Sequence, residues 1–214
     1  MKTSPKRRRS QLERTAETQS ILVQAAVRLL ATAGFAKTTT QSIAKEAGVT
    51  TGALHHHYPT KDDLMLAVLD QTALTVEEKL QAESIVPFAG KASIRDVVDH
   101  LWQIYGQPEY WAVWEIIIGT RADPEIHRRI LEHRAQSMAN VVLPWLNHVE
   151  DLTGSTDHSA ETFEFMLIAI RGLSLERFMD KDAAYFDRHL AMLADYVSFR
   201  LQGSGQPVEL ADNP

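Results

Sequence analysis

The stretch TTTQSIAKEAGVTTGALHHHYPTK, from Thr38 to Lys61, restricts the fold more than any other part of the chain. It reads as two short helices joined by a tight turn. Thr39 or Thr40 is placed to cap the first, because a threonine oxygen satisfies an N–H group left open at a helix start. Ile43, Ala44 and Ala47 give that helix one small apolar face. Gly48 stands where a helix ends in a left-handed residue, a conformation that costs glycine little. Val49 plugs the corner, and Thr50 caps a second helix over Thr51 to Tyr58. Pro59 stops it, having no N–H to donate and disfavouring a helical residue before it. Helix, glycine-containing turn, helix is the pattern whose second helix enters the DNA major groove.

The surrounding run GFAKTTTQSIAKEAGVTTGALHHHYPTKDDL, Gly34 to Leu64, carries many fixed spacings. They are Gly34-Phe35, the threonines before Ile43-Ala44, Ala47-Gly48-Val49, Gly52, Leu54, the aromatic and histidine run, and Lys61 before acidic residues. On these residues the chain resembles the N-terminal domain of TetR/AcrR-family transcriptional regulators, over roughly residues 15–70. Beyond them the likeness is one of architecture, an all-helical remainder of fitting length. The family usually has Tyr where this chain has His55, and Phe is common where it has Tyr58. The resemblance implies an all-α protein with two parts: a three-helix DNA-binding domain, and a helical domain that binds an effector and dimerises.

Charge agrees with a phosphate-bearing partner for one end only. Residues 1–61 hold ten lysines and arginines against three acids, a net of +7, while the whole chain carries −6. The remainder is therefore at −13. A basic module on an acidic body suits a polyanion that meets only the N-terminal part. Residues 1–13, with Arg7, Arg8 and Arg9 in a row, are expected to form a flexible basic arm that tracks the phosphate backbone, enters the minor groove, or serves only as a solubilising tail.

Residues 14–33 read as the first helix, with Ile21, Leu22, Ala25, Ala26, Leu29 and Leu30 on one apolar stripe packing on Ile43, Val49 and Leu54. Domain boundaries are expected at 14–60 for DNA binding, 61–202 for the effector-binding and dimerisation body, and 203–214 for a disordered tail. On the second short helix Leu54 faces inward. Thr51, Gly52, Ala53, His55 and His56 are the candidates for base edges, since Gly52 and Ala53 allow close backbone approach and the Ala53 methyl suits a thymine methyl. Thr39, Thr40, Thr50, His57 and Lys61 are the candidates for phosphates. The three consecutive histidines point about 100° apart on a helix, so they do not converge on one metal ion.

Thr60 with Asp63 resembles a capping box and opens a helix over about 60–82, which the resemblance makes the link between the two domains. Pro87 and Gly90 break the chain, and Ser93 caps a helix with Ile94, Val97, Val98, Leu101, Trp102 and Tyr105 on one face. Residues 110–118 are apolar nearly all round, which predicts burial, with Glu115 the unusual member. A carboxylate there needs a partner: Arg121, Arg171 or a polar ligand. Pro144 lies inside a helix over roughly 124–149 and is expected to kink it near Val141. A loop at 151–158 precedes a helix over 159–179.

Trp102, Tyr105, Trp111, Trp114, Phe163 and Met166 are core packing by default. Three of the four tryptophans fall within residues 102–114, which suits a cavity for an apolar or aromatic effector, with Glu115 as a polar contact. The last helix, over 182–202, carries two apolar stripes. One holds Ala183, Phe186, Leu190, Leu193, Val197 and Leu201, and the other Tyr185, Met192, Tyr196 and Phe199. Two stripes imply a second burial partner, hence a homodimer through Phe186, Leu190, Leu193, Tyr196 and Val197.

No phosphate-binding glycine loop, G-x-S-x-G or HExxH occurs, so nothing points to an enzyme, a metal or a cofactor. No apolar run approaches the length of a membrane span and no signal peptide is evident, so a cytoplasmic protein is expected. The expected partners are operator duplex DNA, a small effector and a second copy of the chain. The alternatives are a helical body that engages a protein instead of a small molecule, and activation instead of repression.

Overall fold

The computed structural model describes residues 10–82, 93–147 and 159–202. All regular elements among them are helical. They are α1 (Gln11–Ala33), α2 (Thr40–Ala47), α3 (Thr51–His57), α4 (Lys61–Ala82), α5 (Ile94–Tyr105), α6 (Trp111–Thr120), α7 (Pro124–Ser137), α8 (Ser159–Leu175) and α9 (Ala183–Leu201). Short 3₁₀ turns cover Phe35–Lys37, Pro108–Tyr110 and Glu176–Met179. The expected arm with Arg7, Arg8 and Arg9, the break at Pro87 and Gly90, the loop at 151–158 and the tail at 203–214 lie outside the described residues.

Helix starts follow the local chemistry of the sequence. α1 begins three residues earlier than the 14–33 expectation, because Ser10 and Glu13 close a capping box: the Ser10 hydroxyl accepts from the Glu13 N–H while the Glu13 carboxylate accepts from the Ser10 N–H. Thr39 and Ser42 make the same reciprocal arrangement at α2, and Thr60 with Asp63 at α4. That bonding from Thr60 is the main reason the Asp63 carboxyl is held below the usual range. Ser93 caps α5 and Asp182 caps α9. Gly48 ends α2 at φ 69°, the left-handed conformation anticipated for it.

The chain divides into two compact units. The first comprises residues 1–75 and 108–137, the second residues 76–107 and 138–214. In the first, α1 lays Leu22, Ala25, Ala26 and Leu30 against α2 and α6, and Ile43, Leu54, Leu64, Val68 and Ile116 complete its core. Val23 is buried there and Ile21 is exposed, so the stripe is rotated slightly from its expected position. α6 is less enclosed than its composition predicts. Ile118 is exposed, and Trp114 and Glu115 are half-buried.

In the second unit α5, α8 and α9 pack pairwise, with Val97, Val98, Leu101, Phe163, Met166, Ile170 and Leu190 inside. The break expected near Val141 takes the form of a π turn over Met138–Val142, after which the chain is helical again over residues 143–147. Pro144 is the physical cause. It has no N–H to donate and its ring crowds the carbonyl four residues earlier, that of Asn140.

Candidate nucleic-acid interface and helical body

The reading head is built from the bottom by two caps and one anchor. The Thr50 hydroxyl accepts from the Ala53 N–H at 3.1 Å and fixes the first turn of α3. Capping uses a lone pair, so the hydroxyl proton remains available to a phosphate. Leu54 is buried and α3 packs on α2, which turns the opposite side of α3 outward. That side presents Gly52, His55 and His56 as exposed residues, with Thr51, Ala53 and His57 half-buried beside them. Thr39 is exposed at the start of α2 and Thr40 is half-buried. His55 Nδ1 lies 3.1 Å from the Pro59 carbonyl oxygen, and His56 and His57 meet edge to face at 5.3 Å. Tyr58, the C-cap of α3, is buried, and burial first and Asp70 second raise its phenol pKa.

Lys61 is placed differently from the expectation. Its ammonium donates to the Phe35 carbonyl oxygen at 3.1 Å and sits 3.7 Å from the centre of the Phe35 ring. Partial burial is the larger influence on it and pulls the amine below the usual lysine pKa, with Asp62 opposing. A lysine held in this way braces the turn after α1 and is a poor point charge for a phosphate. Lys61→Met, which keeps the aliphatic stem, is expected to lower stability by about 1 kcal/mol and leave the salt dependence of DNA binding unchanged. A salt slope shallower by about 0.9 in a titration of DNA affinity would put the ammonium on a phosphate after all.

Glu115 meets neither expected partner. Its Oε2 accepts from the Phe35 N–H at 2.7 Å, across eighty residues of sequence, and the Arg121 guanidinium donates instead to the Ile118 carbonyl. Arg171, in the second unit, stands over the Tyr105 ring at 5.0 Å. The carboxylate therefore satisfies a backbone donor in the first unit. Gly119, one turn along α6, lies directly against the Phe35 ring. Phe35 is thus held through its N–H, its carbonyl and its ring. The sequence marked it only as part of the Gly34-Phe35 pair.

The seven candidate ligand residues fall in two places. Trp102, Tyr105, Phe163 and Met166 are buried in the second unit, where Trp102 packs on Phe186 with ring centres 5.3 Å apart. Trp111, Trp114 and Glu115 belong to the first unit.

The five candidate dimer residues also divide. Leu190 is 1% exposed and Val197 0%, and Phe186 is buried with them, so this stripe is the protomer's own core. Leu193 is half-buried, and of the five only Tyr196, at 45%, is exposed. The correction has a simple cause. Both stripes of α9 are apolar, and the one facing α5 and α8 is consumed inside the chain. The other, with Met192 and Phe199, stays outside and continues onto Phe165 and Ile168 of α8. Phe165 and Tyr196 join the two helices, ring centres 5.3 Å apart. Among the described residues no helix is long and apolar enough to cross a membrane, and no three metal-ligating side chains come together.

Residues 22–68 match the profile of the bacterial regulatory proteins of the tetR family. The chain is 27% identical over 185 residues to the HTH-type transcriptional regulator CymR of Pseudomonas putida, covering 86% of this chain and 91% of that protein. It is 24% identical over 189 residues to the HTH-type transcriptional regulator BetI of Rhizobium meliloti, covering 86% and 89%. Among solved structures, a transcriptional regulator from Rhodococcus sp. Rha1 aligns with a TM-score of 0.69 at 19% identity, over 88% of this chain and 99% of that one. A transcriptional regulator from Saccharomonospora viridis, solved in complex with choline, aligns with a TM-score of 0.63 at 20% identity, over 86% and 96%.

Proposed function

The chain is a TetR-family transcriptional regulator, and from that premise we propose that it acts as a homodimeric repressor released from its operator by a small effector. Each protomer places α3 in the major groove of one half-site. Thr51, Gly52, Ala53 and His56 face the base edges with His55 beside them at the groove wall, Thr39, Thr40, Thr50 and His57 meet the backbone, and Arg7, Arg8 and Arg9 add attraction for the phosphates. The observation that carries this reading is the buried Leu54, which fixes α3 so that Gly52, His55 and His56 lie outward together. Two half-sites one helical turn apart, or a multiple of that spacing, follow from two-fold symmetry.

The experiment is selection of bound sequences from a random duplex pool with the purified protein. A palindromic motif is the expected result. Thr51→Ala and His56→Ala are expected to change the base preference at single positions of the half-site, at about 1–3 kcal/mol for a lost base contact. An unchanged motif removes these two side chains from base readout.

The effector reading draws on the second unit, where Trp102, Tyr105, Phe163 and Met166 lie together with α9. Solved relatives of this fold carry small organic molecules, choline in one and imidazole in another. An effector shifts the protein off its operator only by binding the released conformation more tightly than the bound one. Release of the selected duplex is the assay by which compounds are screened.

A further inference from the structure

The hydrogen bond between the His55 ring and the Pro59 carbonyl fixes the chemistry of the ring. A carbonyl oxygen carries no hydrogen, so Nδ1 is the donor in the contact with Pro59. Nδ1 therefore holds a proton in both the neutral and the charged ring. The remaining nitrogen, Nε2, is an acceptor when the ring is neutral and becomes a donor only when a second proton is added. Phosphate oxygens are acceptors. The neutral ring thus offers a phosphate nothing.

Position argues for phosphate over base. His55 lies in the last turn of α3, exposed, and its ring is tied to a carbonyl beyond the helix end. A charged ring at a helix C-terminus is also favoured by the exposed carbonyl dipoles.

We propose that His55 is a proton-coupled phosphate contact: with Nδ1 held by Pro59, its Nε2 meets the operator backbone only when protonated, so complex formation takes up one proton at this residue. The proposal rests on the reading of α3 as the recognition helix. The proton comes from solvent and ends on Nε2 between the ring and a phosphate oxygen. The charged groups on α2, α3 and α4 are of both signs. His56 and His57 on α3, Lys45 on α2 and Lys61 oppose a further positive charge. Glu46 of α2, with Asp62 and Asp63 of α4, favour it, although Glu46 is already paired with Arg28 and Asp63 with Thr60 and Arg129. The phosphate itself is the largest new influence, and it raises the proton affinity of the ring in the complex above that in the free protein.

The sign follows. A group whose proton affinity is higher in the complex strengthens binding fully at low pH, and the gain is lost as pH rises through the range where the bound ring titrates. One proton corresponds to about tenfold in affinity per pH unit within that window.

The test uses the full-length protein and a duplex recovered by selection. Affinity is measured from about pH 5.5 to 8 at fixed ionic strength, since histidine changes charge in that span. The expected result is an affinity that falls by up to about tenfold per pH unit for the wild type. His55→Gln is expected to flatten this slope by about one proton. His55→Arg, a permanent cation, is expected to bind as tightly near pH 8 as the wild type does near pH 6. His56→Gln is expected to keep the slope. A ring ¹⁵N spectrum of the neutral free protein should show His55 with its proton on Nδ1. Specific binding with an unchanged slope in His55→Gln overturns the proposal and leaves the recognition-helix reading standing, as does a neutral ring protonated on Nε2. A base contact from the neutral ring would appear as pH-independent affinity with an altered motif in His55→Gln. Absence of sequence-specific binding at every pH overturns both.

Discussion

The Ile168→Glu/Met192→Glu double variant is expected to sediment as a monomer while keeping the helical content of the wild type. Ile168 is 59% exposed and Met192 67%, so neither change opens a hole in the protomer. Both lie on the outer apolar faces of α8 and α9, alongside Phe165, Tyr196 and Phe199. A face of this kind on two adjacent helices is what a two-fold four-helix interface needs. Symmetry doubles every substitution, so the two changes remove four apolar contacts and bury four carboxylates. At about 1.5–3 kcal/mol for each apolar side chain, dissociation is expected to strengthen by at least about a thousandfold. Operator affinity should fall with it, because a lone α3 retains only one half-site. As a contrast, Leu190→Ala is expected to lower thermal stability and leave assembly intact, since Leu190 faces the protomer's own core. A dimer that survives the double glutamate change would move the interface elsewhere.

Gly119→Ala is expected to destabilise the protein, against the usual gain of replacing a helical glycine. Alanine is favoured over glycine in a helix by about 1 kcal/mol. Here a Cβ on Gly119 would stand 2.2 Å from Phe35 Cγ, 2.3 Å from Cδ1 and 2.6 Å from Phe35 Cβ. Atoms so near the Phe35 backbone do not swing aside cheaply. The ring is confined by Lys61 on a face, and its residue is tied by Glu115 and Lys61 through the backbone. Overpacking costs about 1–3 kcal/mol, and displacing Phe35 adds broken hydrogen bonds of about 1 kcal/mol each. The expected net loss is about 2 kcal/mol, a fall in melting temperature of about 4–8 °C for a chain of this size. In a Phe35→Gly background, which removes the Cβ at 2.6 Å together with the ring, the same change should lose this penalty, which a double-mutant cycle measures. A rise in melting temperature on Gly119→Ala alone would show that Phe35 is not held in this way.

The helix-turn-helix was legible because its determinants act over three or four residues. The Thr39 and Thr50 caps, the left-handed Gly48 and the inward Leu54 follow from side chains beside the backbone they satisfy. The exposed side of α3 follows in turn, because an anchored Leu54 leaves only one direction for its neighbours. The dimer stripe was half legible. Period alone reveals that α9 has two apolar faces, and it carries no information on which of them a neighbouring helix takes. The same limit explains the candidate ligand residues: aromatic content marks α5 and α6, and says nothing of the unit in which each side chain ends.

What the sequence determined by itself is therefore the set of helices, their caps, the helix-turn-helix and the basic charge of the N-terminal part. Each depends on contacts short along the chain or on charge summed over a segment. Only the tertiary structure decided that Glu115 meets the Phe35 N–H across eighty residues, that Lys61 turns onto the same residue, and that Leu190 and Val197 are core while Met192 and Tyr196 are surface. A carboxylate or an ammonium accepts any suitable partner within about 3 Å, and an apolar stripe accepts any apolar neighbour. Such groups are unspecific in themselves, so the packing of distant helices, and nothing local, chooses the partner.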